Sequence, residues 1–441
     1  MRAASPCDLA GLDATRLGAT LERIAGIGNR FPGTAGEALC RELLLEELTG
    51  LGLARVRAEE FAYLAYEPVA ASCTVVGEGW TLEAVGLQCT ASAAVEGEAV
   101  YLGACRPEDV AAIEARGVDL TGRVVVAHAS MAWLVAPQLT ANGVAAFVNV
   151  SDAPDGLIGH FPASLYPPPL EPPWEGRILP FPGVSVEAQA GRRLISLLTA
   201  GPVRLRVEHR ARDIEKISAN VVAEIPGEDD PGQRVVLGAH YDTQLAGPGA
   251  ADNATGLAAL LELARVLRGL RLRRTVVLCA FGVEELGFFG SYHYVLRDPA
   301  ANAATVGMVN LDALGLPSPG RRLVVADPSI AAFAAASATQ AGWEPEETID
   351  GSLNAWSDHN PFIDAGIPAC WLWRYPPQHP YYHCAGDTLR WVDLGRVHDV
   401  ALASGFVALR LETDAEPGIG RARPSRVFAT IPREASAPAP G

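Results

Sequence analysis

The feature that most constrains this chain is an alternation that begins near residue 215. Short apolar runs take turns with amphipathic ones, and four of the apolar runs lead into metal-type side chains. RVVLGA precedes His240 and Asp242, TVVLCAFG precedes Glu284 and Glu285, VGMVN precedes Asp312, and His383 lies in the loop after PACWLWR. Asp252 stands before NATGLAALLELARVLRGL, which puts Leu257, Leu260, Leu261, Ala264 and Leu267 on one helical face. RLVVADP reads as a further strand, and Ser291–Arg297, Ser329–Ala341 and Val392–Glu412 read as helices. The expected fold is α/β, with a mixed, mainly parallel central sheet flanked by helices. Such a sheet gathers the carboxyl ends of its strands at one edge, where ligands bind in folds of this class. Convergence of these residues in one crevice is the signal; no single residue carries it.

Five nitrogen and oxygen donors without sulfur suit zinc, or a related ion such as cobalt or manganese. They are too many for one open catalytic zinc. They fit two ions sharing a carboxylate, which at about 3.5–4 Å apart activate one water and polarise a carbonyl. Of the adjacent Glu284 and Glu285, one then ligates and the other takes the water's proton. Each residue alone has a plainer reading. Asp252 also suits a helix N-cap, and Glu284–Glu285 suits a solvated pair at a helix start. His128, His160, His209, His293 and His398 are expected to be structural.

The segments HYD (240–242), GAADNATG (249–256), EELG (284–287), NLDALG (310–315), SDHNPF (357–362) and YYHCAGDT (381–388) resemble the dizinc aminopeptidase family. That family includes bacterial leucyl aminopeptidases, aminopeptidase Y, glutamate carboxypeptidase II and the glutaminyl cyclases. The resemblance covers roughly 1–60 and 215–412. It implies two Zn2+ per chain, with His240 and Asp312 on one, Glu285 and His383 on the other, and Asp252 bridging them. It implies Glu284 as general base for a zinc-bridged hydroxide. Asp242 would support His240, and Tyr382 would hydrogen-bond the tetrahedral intermediate. A cis peptide is implied at Asp252–Asn253. The implied activity is aminopeptidase action on a peptide or small amide. A carboxypeptidase or deacylase on the same site, a single-zinc glutaminyl cyclase, and a non-catalytic binding module remain as alternatives. A carboxypeptidase would need arginine for the substrate carboxylate, for which Arg374 is a candidate. Asp358 and His359 would line the pocket or hold a loop. Asp387 would hold the His383 loop or serve a turn, and Cys384 is not expected to be a nucleophile. Trp371, Trp373, Tyr375 and Tyr381 would shape a pocket or edge the core.

The remainder of the chain has a different texture. Thr34–Gly52 reads as a helix, and ARVRAEEF after it as a strand. From 63 to 212, short β-rich runs (EAVYLG, RVVVAHA, AAFVNV, VRLRVE) surround a Pro-rich loop and one helix expected at Ser185–Thr199. This stretch resembles the protease-associated domain inserted into several family members. The catalytic domain would then be discontinuous, 1–62 and 213–415, around an inserted α+β domain at 63–212. The Pro- and Ala-rich tail, 416–441, is expected to be disordered. The net charge of −16 argues against nucleic acid or an anionic membrane as partner. The eight cysteines show no CxxC or Cys/His finger spacing, so a sulfur zinc site is not expected. Asp8 and Asp13 interrupt what a signal peptide would need to be apolar, so a cytoplasmic location is expected unless the true start lies upstream. The oligomeric state has no sequence signal.

Overall fold

The computed structural model describes residues 4–128, 135–163, 170, 174, 176–316, 320–353, 356–375 and 380–425. Most of the Pro-rich loop, the side chain of Tyr375 and the tail from 426 to 441 lie outside them. The strands among the described residues are β1 (Ala54–Val75), β2 (Trp80–Gly86), β3 (Ala93–Tyr101), β4 (Val124–His128), β5 (Ala146–Val150), β6 (Gly183–Val186) and β7 (Arg204–Ile225), then β8 (Asp230–His240), β9 (Arg274–Phe281), β10 (Thr305–Asn310), β11 (Arg321–Ala326), β12 (Glu347–Asp350) and β13 (Ala369–Tyr375). They form one sheet in the order β1-β2-β6-β5-β4-β3-β7-β9-β8-β10-β13-β11-β12, with β1 also paired to β7.

At the centre of the α/β half, β9, β8, β10 and β13 run parallel. β7 and β11 flank them antiparallel, so the sheet is mixed around a parallel middle. The central strands read as unbroken apolar runs because both faces are buried. Val235, Leu237 and Ala239 of β8 and Val276, Leu278 and Ala280 of β9 enter one core cluster. Val236, Val277, Cys279 and Phe281, one residue out of phase, enter the other. The helix Thr255–Leu267 is buried at every position except Arg265, as a helix apolar nearly all round must be. It lies against the same cluster as Leu17 and Leu21 of the helix Ala14–Gly26 and Val400 and Phe406 of the helix Leu394–Thr413.

β1 and β7 are each 22 residues long and pair antiparallel from Ala54/Glu224 to Val75/Leu205. They form a ribbon roughly 70 Å long at strand rise. The expected domain limits at 62/63 and 212/213 fall inside these strands. The strand begun by ARVRAEEF therefore continues well past residue 62. In the insert, β3, β4, β5 and β6 are parallel neighbours, with β2 antiparallel on β6. One expectation is corrected here. Ser185 belongs to β6, and the following helix is Ala188–Ala200, capped by Glu187, whose carboxylate accepts from the N–H groups of Gln189 and Ala190. An apolar strand running straight into an amphipathic helix hid the boundary. None of the eight cysteines forms a disulfide, and Cys279 and Cys370 are buried in their strands. No helix among the described residues is long and apolar enough to cross a membrane.

Candidate metal centre

The parallel strand ends deliver the site. β8 ends on His240, Asp312 follows β10 by two residues, and Glu284 and Glu285 lie just past β9. His383 comes from the loop after β13, and Asp252 from the tight turn 250–254 before the buried helix. That helix has Ala254 at its N-cap with no side-chain cap, so Asp252 is not a capping residue. The Asp252–Asn253 peptide is cis. Asn253 then ties the turn to the next strand end: its Nδ2 donates to the Leu311 carbonyl (2.9 Å), and its Oδ1 accepts from Gly256 N (2.9 Å). A Cβ on Gly256 would lie 2.1 Å from the Leu311 carbonyl oxygen, so only glycine permits this approach.

Two groups of ligand atoms result, and they share one residue. His240 Nε2 lies 3.1 Å from Asp252 Oδ1 and 3.4 Å from Asp312 Oδ1. His383 Nε2 lies 3.1 Å from Asp252 Oδ2 and 3.5 Å from Glu285 Oε2. Each oxygen of Asp252 thus faces a different triad. Ligands about 2.1 Å from a tetrahedral zinc sit about 3.4 Å from one another, which is the spacing seen. Glu284, which interacts electrostatically with His240 and Asp312 of one triad and Glu285 of the other, belongs to neither.

Electrostatics points the same way. Asp242, Asp252, Glu284, Glu285, Asp312 and Asp358 are all buried. Burial pushes Glu285 up to about 8 against the pull of His383. Burial, with Glu285 and Asp358 alongside, pushes Glu284 well above the usual carboxylate range against the pull of His240. Burial also opposes charge on Asp252, yet His240 and His383 hold its carboxyl well below the ordinary value. One nearby cation is Arg30, wholly buried, donating to the carbonyls of Tyr241 (2.9 Å), Pro248 (2.5 Å) and Gly249 (3.1 Å). This much buried negative charge is costly unless cations offset it. Nitrogen and oxygen donors at these spacings, with Glu285 Oε1 and His383 Nδ1 buried and without a hydrogen-bond partner, fit divalent ions.

The supporting residues differ in part from expectation. The Asp242 carboxylate is 3.7 Å from His240 Nδ1, whereas the Asp242 carbonyl is nearer, at 3.2 Å. That carboxylate also accepts from the N–H groups of Glu284 and Glu285, 3.0 Å each. Asp387 holds not only its own loop but the Asp252 turn, accepting from Ala251 N (2.9 Å) and Asp252 N (3.1 Å). Ser357 donates to Asp312 Oδ2 (2.6 Å) and accepts from Asn310 Nδ2 (2.7 Å), leaving Asp312 Oδ1 for His240. Trp371 Nε1 donates to the Asp312 carbonyl (2.9 Å) and stacks on Trp373. Gln244 Nε2 donates to Glu285 Oε2 (2.9 Å). Ser357 lay within a motif and Gln244 two residues from one; nothing local marked Arg30.

The Tyr382 ring stacks on His383 with centroids 3.7 Å apart. Burial, then Asp252, Glu285, Asp312 and Glu284 around it, hold its phenol well above the usual value, so it stays a donor. Of nine non-glycine residues with positive φ among those described, four (Val283, Phe288, Ala313 and His383) occupy the ligand-bearing loops. Each costs roughly 1–3 kcal/mol, and such strain collects where a site is over-determined by its surroundings. Asp358 and His359 are fully buried and in neither triad. Asp358 accepts from Ser291 Oγ (2.5 Å), and His359 tilts against Trp371. Arg374 donates to the Gly320 carbonyl (3.2 Å), with Arg396 and Arg322 beside it. Tyr381 donates to Asp155 of the insert (2.5 Å). His160, also of the insert, is brought against His383: its N–H donates to the His383 carbonyl (2.9 Å).

Comparison with known proteins adds the following. Residues 220–406 match the family model described as Peptidase family M28. Over 152 residues the chain is 37% identical to leupeptin-inactivating enzyme 1 of Streptomyces exfoliatus, covering 34% of each protein. Over 190 residues it is 32% identical to aminopeptidase YwaD of Bacillus subtilis (strain 168), covering 40% of this chain and 42% of that one. The chain thus spans less than half the length of these two curated relatives. Among solved structures it resembles the aminopeptidase from Aneurinibacillus sp. strain AM-1, at a TM-score of 0.68 and 23% identity over 95% of this chain and 97% of that one. At that identity the likeness shows the fold.

Proposed function

We propose that this chain, whose residues 220–406 match the model of peptidase family M28, is a zinc aminopeptidase that hydrolyses the N-terminal peptide bond of a peptide or small amide. The observation that carries the reading is the pair of triads sharing Asp252, with Glu284 beside both and in neither. His240, Asp252 and Asp312 would hold one zinc, and Asp252, Glu285 and His383 the second. Bound zinc supplies a Lewis acid that polarises the scissile carbonyl and lowers the pKa of a water.

The rest of the chemistry falls to this chain's side chains. Glu284 takes the proton of the attacking water as its oxygen bonds to the carbonyl carbon, and passes it to the amine nitrogen as the C–N bond breaks. Asp242 holds the backbone of Glu284 and Glu285 together, so the proton carrier and its ligating neighbour keep a fixed relation. The Tyr382 phenol donates to the carbonyl oxygen as it gains charge. The region 63–212, read as a protease-associated domain, walls the His383 side of the crevice.

Two measurements test the reading: zinc per chain, and release of N-terminal residues from aminoacyl-nitroanilides and short peptides. Two zincs with N-terminal release support it. One zinc with cyclisation of N-terminal glutamine, or release from the carboxyl end, would replace it.

A further inference from the structure

Two parts of the insert reach the second triad. Gln88 is 1% exposed, and its Nε2 donates to Gln244 Oε1 (2.8 Å). Gln244 Nε2 in turn donates to Glu285 Oε2 (2.9 Å). Chemistry sets the direction of this relay. As a metal ligand Glu285 is ionised and only accepts, so Gln244 must turn its NH2 to Glu285 and its oxygen to Gln88. Gln88 must then donate. The second part is the loop of His160 and Phe161. His160 N–H donates to the His383 carbonyl (2.9 Å), and the Phe161 ring lies 5.1 Å from the His383 ring. The two parts are one unit, because Ala163 N donates to the Gln88 carbonyl (2.9 Å) and Gln88 bridges Pro162.

Among the described residues, no hydrogen bond from the insert to the first triad is comparable. Its supports, Ser357, Asn310 and Trp371, all come from the α/β half. We propose that Gln88 is a positioning residue through which the inserted region sets the affinity of the second metal position, that of Asp252, Glu285 and His383, while leaving the first unchanged. The proposal rests on the two-ion reading above. Its physical basis is orientation of a ligand by hydrogen bonds beyond it, whose loss typically lowers metal affinity about 10–100-fold.

The test is stepwise zinc loading of the full chain in a series of free-zinc buffers, with zinc per chain measured directly and the melting temperature recorded. Gln88→Glu keeps the side-chain volume but replaces the donor with an acceptor; Gln88→Leu removes the amide. Both are expected to weaken the second zinc about tenfold or more, with the first within twofold of the unsubstituted chain. Phe161→Ala, which leaves the relay intact, is expected to shift the same ion. If a Gln88 variant misfolds, Phe161→Ala decides the matter. Folded variants with both affinities unchanged, or with both lowered equally, overturn the proposal. An unsubstituted chain that takes up a single zinc at every concentration overturns the two-ion reading, and this proposal with it.

Discussion

The two triads use the same donor types and share Asp252, yet they are built differently. His240 ends a central strand, is 1% exposed, and has its Nδ1 fixed by the Asp242 carbonyl. His383 sits in a loop with left-handed φ, is 12% exposed, and its Nδ1 has no hydrogen-bond partner. A strand end is held by its ladder, and the first triad inherits that rigidity. The second depends on a stacked phenol and on the insert. Like donors do not make equivalent positions, because affinity depends on how far each ligand is fixed before the ion arrives. The second position is therefore expected to fill last and empty first.

The sharpest break in this comparison comes from the residue that serves neither triad. Glu284→Gln is expected to keep zinc and melting temperature while kcat falls about 10²–10⁴-fold, the usual share of general acid–base catalysis. Near-normal turnover would remove Glu284 from the mechanism. Next in size, Tyr382→Phe on the His383 side is expected to lower kcat about 10²-fold, with KM changing far less. An equal rise in KM without loss of kcat would make Tyr382 a binding residue only.

A paired substitution addresses the contrast itself. Ser357→Ala and Gln244→Leu are each expected to weaken one zinc about 10–100-fold, the first and the second respectively. Loss of the same ion in both variants would abolish the distinction.

The smallest effect separates the candidate ligand histidines from a half-buried structural one. His293 stacks on Phe61, and burial pushes it down to about 4. The folded pKa lies below the unfolded 6.5, so between those values the unfolded chain binds more protons and stability falls as pH falls. The loss is about 2 kcal/mol from pH 6.5 to 4.5. Urea unfolding across that range should show a shallower slope in His293→Gln; an unchanged slope would place the acid sensitivity elsewhere.

Much of the site was legible in the sequence, because its ligands follow strands whose apolar runs are unmistakable. RVVLGAH and TVVLCAFG announce strands buried on both faces, and parallel strands bring their ends together regardless of what lies between. The supports were less legible. Asp242 was expected to support His240, and its carboxylate also holds the N–H groups of Glu284 and Glu285. The contact of His240 with the Asp242 carbonyl is one that no side-chain pattern encodes. Asp387 was expected to hold its own loop, and it also binds the Asp252 turn, 135 residues distant in sequence.

The amino-acid sequence by itself determined the α/β rhythm, the candidate ligands and their order along the chain, since strand ends follow from local apolar runs. The tertiary structure alone decided that the insert reaches the second triad. Gln88 and Gln244 are 156 residues apart, and neither lies in a patterned run that foretells the other. They lie beyond β2 and β8, strands that are not neighbours in the sheet. The pattern of apolar residues sets which side chains are buried; hydrogen-bond partners across a fold are set by geometry that only the closed chain possesses.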